Sequence, residues 1–154
     1  MPKIDIGKVL VDASSLYPAE FRKVVDGRQR QRLGNAAGLT QFGVNLTRLK
    51  PGAASALRHW HENEDEFIYV VEGELVLIED HGETILRPGD AAGFKAGVEN
   101  GHCLVNRTAN DAVYLEVGTR AASERAHYSD VDCKVERNGT TFTYMRRSGE
   151  PYTS

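Results

Sequence analysis

The chain is short of cysteine, of helix signals, of long apolar runs and of positive charge, and each shortage excludes something. Two cysteines in 154 residues, Cys103 and Cys133, could close one disulfide at most. A disulfide-held secreted scaffold is therefore excluded, and free thiols are expected. The longest uninterrupted apolar stretch is Phe67 to Val71, far below the roughly 18 residues of a membrane-spanning helix. The opening Met1-Pro2-Lys3-Ile4-Asp5 has no basic segment leading into an apolar one, so no secretory signal is expected and the chain is read as cytoplasmic. Lysine and arginine number 19 against 22 aspartates and glutamates, a net charge of −3. That supplies no global field for a polyanion, which argues against nucleic-acid and membrane partners. Arg28, Arg30 and Arg32 are a local exception at period two. In a strand they share one face, and a solvated or partner-facing surface is expected there rather than an anion site.

What is present is the punctuation of an all-β domain. Fifteen glycines and five prolines are spread along the chain between short segments rich in Val, Leu, Ile and Tyr, and 154 residues leave room for one domain. Strands are expected at Val44–Leu49, Phe67–Val71, Leu75–Ile78, Thr84–Leu86, Ala91–Phe94, His102–Asn106 and Val113–Val117. Seven closely spaced strands predict a sandwich or barrel. In the more polar tail, Asn138-Gly139 predicts a hairpin between Cys133–Glu136 and Thr141–Tyr144. The best helical candidate is a short turn at Pro18–Arg22.

Chemistry concentrates at Arg58-His59-Trp60-His61, followed by Glu62, Glu64, Asp65 and Glu66. On an extended strand His59 and His61 point to one face and can meet one ion, with Glu66 supplying an oxygen ligand. A chance His-x-His is expected about 0.16 times in a chain with five histidines; adding a Glu five and a Gly twelve positions on lowers this to roughly 0.001. By the same alternation Trp60 points away from the ligands, as does Cys103 beside His102. His81 and His127 are expected to be exposed. Tyr69, Tyr114 and Glu116 line a cavity only if their strands have the right parity.

These residues resemble the cupin superfamily. Its first motif is met by Gly52, His59, His61, Glu66 and Gly73, with one extra residue after Gly52. Its second begins at Gly89; Lys95 stands where proline is usual, Gly97 follows, and Asn100 takes the histidine position. Two residues later Gly101-His102 and Asn106 restore the His-x3-Asn ending, which makes His102 the fourth ligand after a two-residue insertion. The wider pattern is similar to a bacterial group of stand-alone cupins, some labelled sugar-phosphate isomerases by similarity alone.

The resemblance implies a double-stranded β-helix, a small antiparallel jelly-roll barrel with little helix. It places the core at about residues 43–118, an N-terminal arm over 1–42 and a hairpin tail over 121–154. It also implies a homodimer, with Tyr17–Leu33 or the tail available for strand exchange. His59, His61, Glu66 and His102 would hold one divalent transition metal: zinc, manganese, iron or nickel. The leading activity is metal-dependent isomerisation of a sugar phosphate, with Glu64 or Glu116 moving the proton and Arg58, Arg48 or Lys95 holding the phosphate. Iron-dependent oxygen chemistry and a non-catalytic small-molecule sensor are the alternatives.

Overall fold

The computed structural model describes residues 2–153; Met1 and Ser154 lie outside them. The strands are β1 (Val11–Asp12), β2 (Arg28–Arg32), β3 (Phe42–Leu49), β4 (His59–His61), β5 (Glu66–Glu72), β6 (Leu75–Glu79), β7 (Gly82–Leu86), β8 (Ala91–Phe94), β9 (Cys103–Val105), β10 (Ala112–Thr119), β11 (Ser123–Tyr128), β12 (Lys134–Asn138) and β13 (Thr141–Met145). Helix is confined to 3-10 turns at Ile6–Lys8 and Ala19–Val25 and one α-turn, α1 (Leu33–Ala36). None is long and apolar enough to cross a membrane.

Two antiparallel layers face each other. One is a six-stranded sheet in the order β1-β2-β3-β10-β5-β8. The other comprises β13-β12-β11-β4 and β7-β6-β9, joined by a bridge in which His59 and His102 exchange both backbone hydrogen bonds, at 3.1 and 2.9 Å. Each layer presents alternate residues inward, as the pleat requires. On β5, Ile68 and Val70 are buried while Phe67, Tyr69 and Val71 are exposed.

Leu49, Ile68, Val70, Leu75, Leu77 and Leu104 pack into one core between the layers. Tyr17, Val25, Ala126, Tyr128 and Val135 form a second, where the Ala19–Val25 turn covers the tail sheet. Both segments considered for strand exchange pair within their own chain: β2 with β1 and β3, and the tail hairpin with β4 through β11. The hairpin turn falls one residue later than expected. Asn138 pairs with Thr141, so Gly139 and Thr140 are the central residues, with Gly139 at φ +61°.

Two glycines hold positions that a side chain could not share. Gly73, between β5 and β6, has φ +76°, and a Cβ there would stand 2.6 Å from the Asp111 carbonyl oxygen. Gly101 passes so close to Ser129 that an added Cβ would overlap its Oγ and lie 3.0 Å from its Cβ. Asn106 is fully buried. Its amide donates to the carbonyls of Leu49 (2.8 Å) and Asn110 (2.7 Å), and its Oδ1 accepts from the Thr108 amide and hydroxyl.

Candidate metal centre

β4 is only three residues long, but its alternation sets the site: His59 and His61 line the cavity between the layers, and neither Arg58 nor Trp60 does. Glu66, the first residue of β5, faces them from the opposite layer. Its Oε2 lies 3.9 Å from His59 Nε2, 3.3 Å from His61 Nε2 and 3.4 Å from His102 Nε2. Ligand atoms of His59, His61 and Glu66 all fall within 4.8 Å of one another. His102 is brought to the group by its bridge to His59 and is held by a parallel stack on Phe94, ring centroids 3.5 Å apart. The two-residue insertion is absorbed in the loop: Asn100 turns away to bond Glu79 Oε1 (2.9 Å) and the Asp80 amide (3.0 Å).

The electrostatics suit a cation. His59 Nδ1 lies 2.7 Å from the Leu57 carbonyl oxygen. In the neutral ring that nitrogen carries the proton, leaving the Nε2 lone pair aimed at the centre. Burial and the neighbouring imidazoles of His61 and His102 push the His59 pKa down to about 3. Burial alone would raise the Glu66 carboxyl, but His102 and His61 outweigh it and hold that group well below its ordinary value. Burial likewise disfavours the charged form of His61, and Glu66 and Glu124 outweigh it, for a net upward shift. Both ring nitrogens of His102 and Nδ1 of His61 are buried without a hydrogen-bond partner. Three imidazoles converging on one carboxylate oxygen are a donor set for a borderline divalent ion, and His102 Nε2, buried without a hydrogen-bond partner, is free to ligate. The residues fit such a metal.

The cavity around this group has a volume of about 600 Å³ and is lined by both layers. Glu64 and Glu116 both line it. Glu64 Oε2 is held by Arg137 (2.6 Å) and the Ala121 amide (2.9 Å). Glu116 makes only long contacts, 3.5 Å to Asn45 Nδ2 and 3.9 Å to Arg30. Tyr114 lines the cavity and Tyr69 does not, each in step with the alternation of its own strand.

Four expectations are corrected. Arg58 does not enter the cavity: it is bound to Asp80 and Asp130 on the outer face, as the alternation that turns Trp60 outward requires. Arg48 pairs with Asp111 (3.3 Å), and exposed Lys95 is also outside the lining. His127 is half-buried, stacked on Trp60 at 4.5 Å and 2.7 Å from Glu62 Oε2. Arg28, Arg30 and Arg32 share a face of β2 as expected, but that face is the cavity wall.

Sequence reasoning missed Glu124 and Arg137 altogether. Glu124 is buried, caps the amides of Glu62 and Asn63, and stands 4.0 Å from His61 Nδ1. Both come from the tail strands, where no local motif marks them.

A small two-layered β-barrel with a His3Glu cluster inside defines a class, and this chain belongs to it: it is a member of the cupin superfamily. The family model described as Cupin domain matches residues 45–118. The chain is 49% identical to a structure from Silicibacter pomeroyi described as a sugar phosphate isomerase from a cupin superfamily, covering 99% of this chain and 98% of that one at a TM-score of 0.96. It is 27% identical to a protein from Acidithiobacillus ferrooxidans provisionally assigned as a sugar phosphate isomerase, covering 79% and 77% at a TM-score of 0.74. The polyketide cyclase RemF of Streptomyces resistomycificus, 22% identical over 77% and 79% of the two chains at a TM-score of 0.64, shares the fold. No curated protein sequence matches the chain.

Proposed function

We propose that this cupin is a cytoplasmic metal-dependent enzyme that isomerises a small sugar phosphate. The observation that carries the reading is the convergence of three Nε2 atoms on Glu66 Oε2, within 3.3–3.9 Å, in a cavity large enough for a small polar molecule. Its likeness to the Silicibacter pomeroyi protein supports the reaction class. His59, His61, Glu66 and His102 would hold one divalent ion, and such an ion would polarise a substrate carbonyl.

The chain's own residues supply the rest. Glu116 reaches the cavity with a carboxylate free of short hydrogen bonds. It is the group to take a proton from the carbon beside the carbonyl and return it to the former carbonyl carbon, while the proton of the hydroxyl on that neighbouring carbon passes to the former carbonyl oxygen. Glu64, fixed by Arg137 and Ala121, orients rather than transfers. The free, buried thiols of Cys103 and Cys133 agree with a reducing compartment. Phe67, Tyr69 and Val71 form an exposed apolar row on the outer sheet face, which supports a homodimer sealed over it. Light scattering at micromolar concentration should then give twice the monomer mass.

Elemental analysis of the untagged protein by plasma mass spectrometry tests the site. About one equivalent of transition metal is expected, lost in His59→Ala and His102→Ala. Glu116→Gln should keep the metal and lose isomerase turnover. Failure to bind zinc, manganese, nickel or iron on reconstitution overturns the proposal. Bound iron with oxygen consumption replaces isomerisation by oxygen chemistry.

A further inference from the structure

The arginines of β2 lie outside the matched family region and inside the cavity. Each is held differently. Arg32 is paired with Asp12 at 3.1 Å. Arg28 is buried, and its guanidinium bonds two neutral carbonyls, those of Ser55 (2.7 Å) and Ser14 (3.3 Å). Arg30 has Glu116 as its nearest carboxylate, at 3.9 Å, beyond hydrogen-bond length. Its Nε is buried without any partner.

Thr47 is in register with Arg30 on one side and with Tyr114 on the other. Thr47 Oγ1 and Tyr114 Oη are also buried and unpartnered. One row across β2, β3 and β10 therefore carries three orphaned polar atoms, and all three can donate. Burial raises the Tyr114 phenol well above its ordinary value and Glu116 adds to it, so the hydroxyl keeps its proton. Buried donors without acceptors are costly, and a buried cation needs a counter-charge. Arg28 and Arg30 both feel Glu116, with Glu66 acting on Arg30 as well, and neither guanidinium makes a hydrogen bond to a carboxylate.

We infer that Arg30, Tyr114 and Arg28 form an oxyanion subsite that takes the phosphoryl or carboxylate group of the substrate. This rests on the proposed reading of the cavity as a substrate site and assigns the anion-holding role to β2 rather than to Arg58, Arg48 or Lys95. A guanidinium Nε–H and a phenol O–H are directional donors to such a group. The His59–His61–Glu66–His102 cluster lines the same cavity, so an anchored anionic group leaves the rest of a small molecule to extend toward it.

The test is isothermal titration of inorganic phosphate, and separately of acetate, into the full chain as purified and after chelator treatment. Binding is expected in both preparations. It should weaken about tenfold or more in Arg30→Gln and in Tyr114→Phe, which removes one hydroxyl, and should be unchanged in Arg58→Gln. Tighter phosphate than acetate identifies a phosphoryl group, and the reverse order a carboxylate. Unfolding midpoints within a degree or two of the parent keep the Arg30→Gln result interpretable, and Tyr114→Phe reads the same subsite independently. Absence of binding by both anions overturns the inference, as does equal binding in the Arg30→Gln and parent chains. Binding lost on chelation but kept in Arg30→Gln overturns the subsite while leaving the metal reading intact.

Discussion

Replacing Gly101 by alanine tests how His102, the third histidine of the cluster, is positioned. The new Cβ would overlap Ser129 Oγ, lie 3.0 Å from Ser129 Cβ and 3.1 Å from an Arg58 guanidinium nitrogen. The hydroxyl can rotate away cheaply. The Cβ cannot, because the Ser129 backbone is tied to the Arg58 carbonyl at 2.9 Å. Relief must come from shifting the strand that carries His102, and overpacking of this kind costs about 1–3 kcal/mol. For a chain of this length that is a fall in Tm of roughly 2–12 °C.

The assay is urea unfolding in chelator, which removes stabilisation by bound ions. It is run on the parent, Gly101→Ala, Ser129→Gly and the double variant. If the clash is the cause, Ser129→Gly makes room and the alanine costs much less in that background, a coupling of about 1 kcal/mol or more. Gly101→Ala within about 0.3 kcal/mol of the parent would refute the reasoning. So would an equal cost in both backgrounds, which would place the strain elsewhere.

Two further outcomes are expected. Asn106→Ala should destabilise the chain by roughly 2–4 kcal/mol, because it breaks four hydrogen bonds at a fully buried position; urea midpoints check this, and a loss under about 1 kcal/mol speaks against it. The hydroxyl and amide of Ser14, with Arg32, lower the Asp12 pKa from 3.8 to about 2. Its stabilising effect is therefore present above pH 3.8 and disappears as pH falls through about 2. Carbon-detected NMR should show Asp12 titrating near 2 and Ser14→Ala returning it toward 3.8; an unmoved midpoint contradicts the assignment.

Much of the scaffold was legible because period-two alternation survives in short strands. The expected segments at 44–49, 67–71, 75–78, 84–86, 91–94 and 113–117 all lie within strands. So was the shared face of His59 and His61, since spacing on a strand dictates it, whereas His102 was reached through its resemblance to the second cupin motif. What alternation cannot supply is which face is the inside. Arg28, Arg30 and Arg32 read identically whether they meet solvent or a cavity, and only closure of β2 onto β3 decides. Arg58 was the opposite case: its parity was fixed by the adjacent His59, and the same reasoning that turned Trp60 outward applied to it. Glu124 and Arg137 were beyond reach, because their contacts cross more than 60 residues of chain.

The bridge between His59 and His102 also orders events in time. His59, His61 and Glu66 lie within eight residues of one another and leave a ribosome almost together, whereas His102 follows 36 residues after Glu66. Closing so long a loop is entropically costly and slow compared with forming the neighbouring hairpins. The first three residues of the cluster can therefore be present in a nascent chain that has no barrel, and His102 joins them only in one that has closed. Whatever the cluster holds is gripped at full strength only after the two layers have met, which makes tight retention a signature of the finished fold.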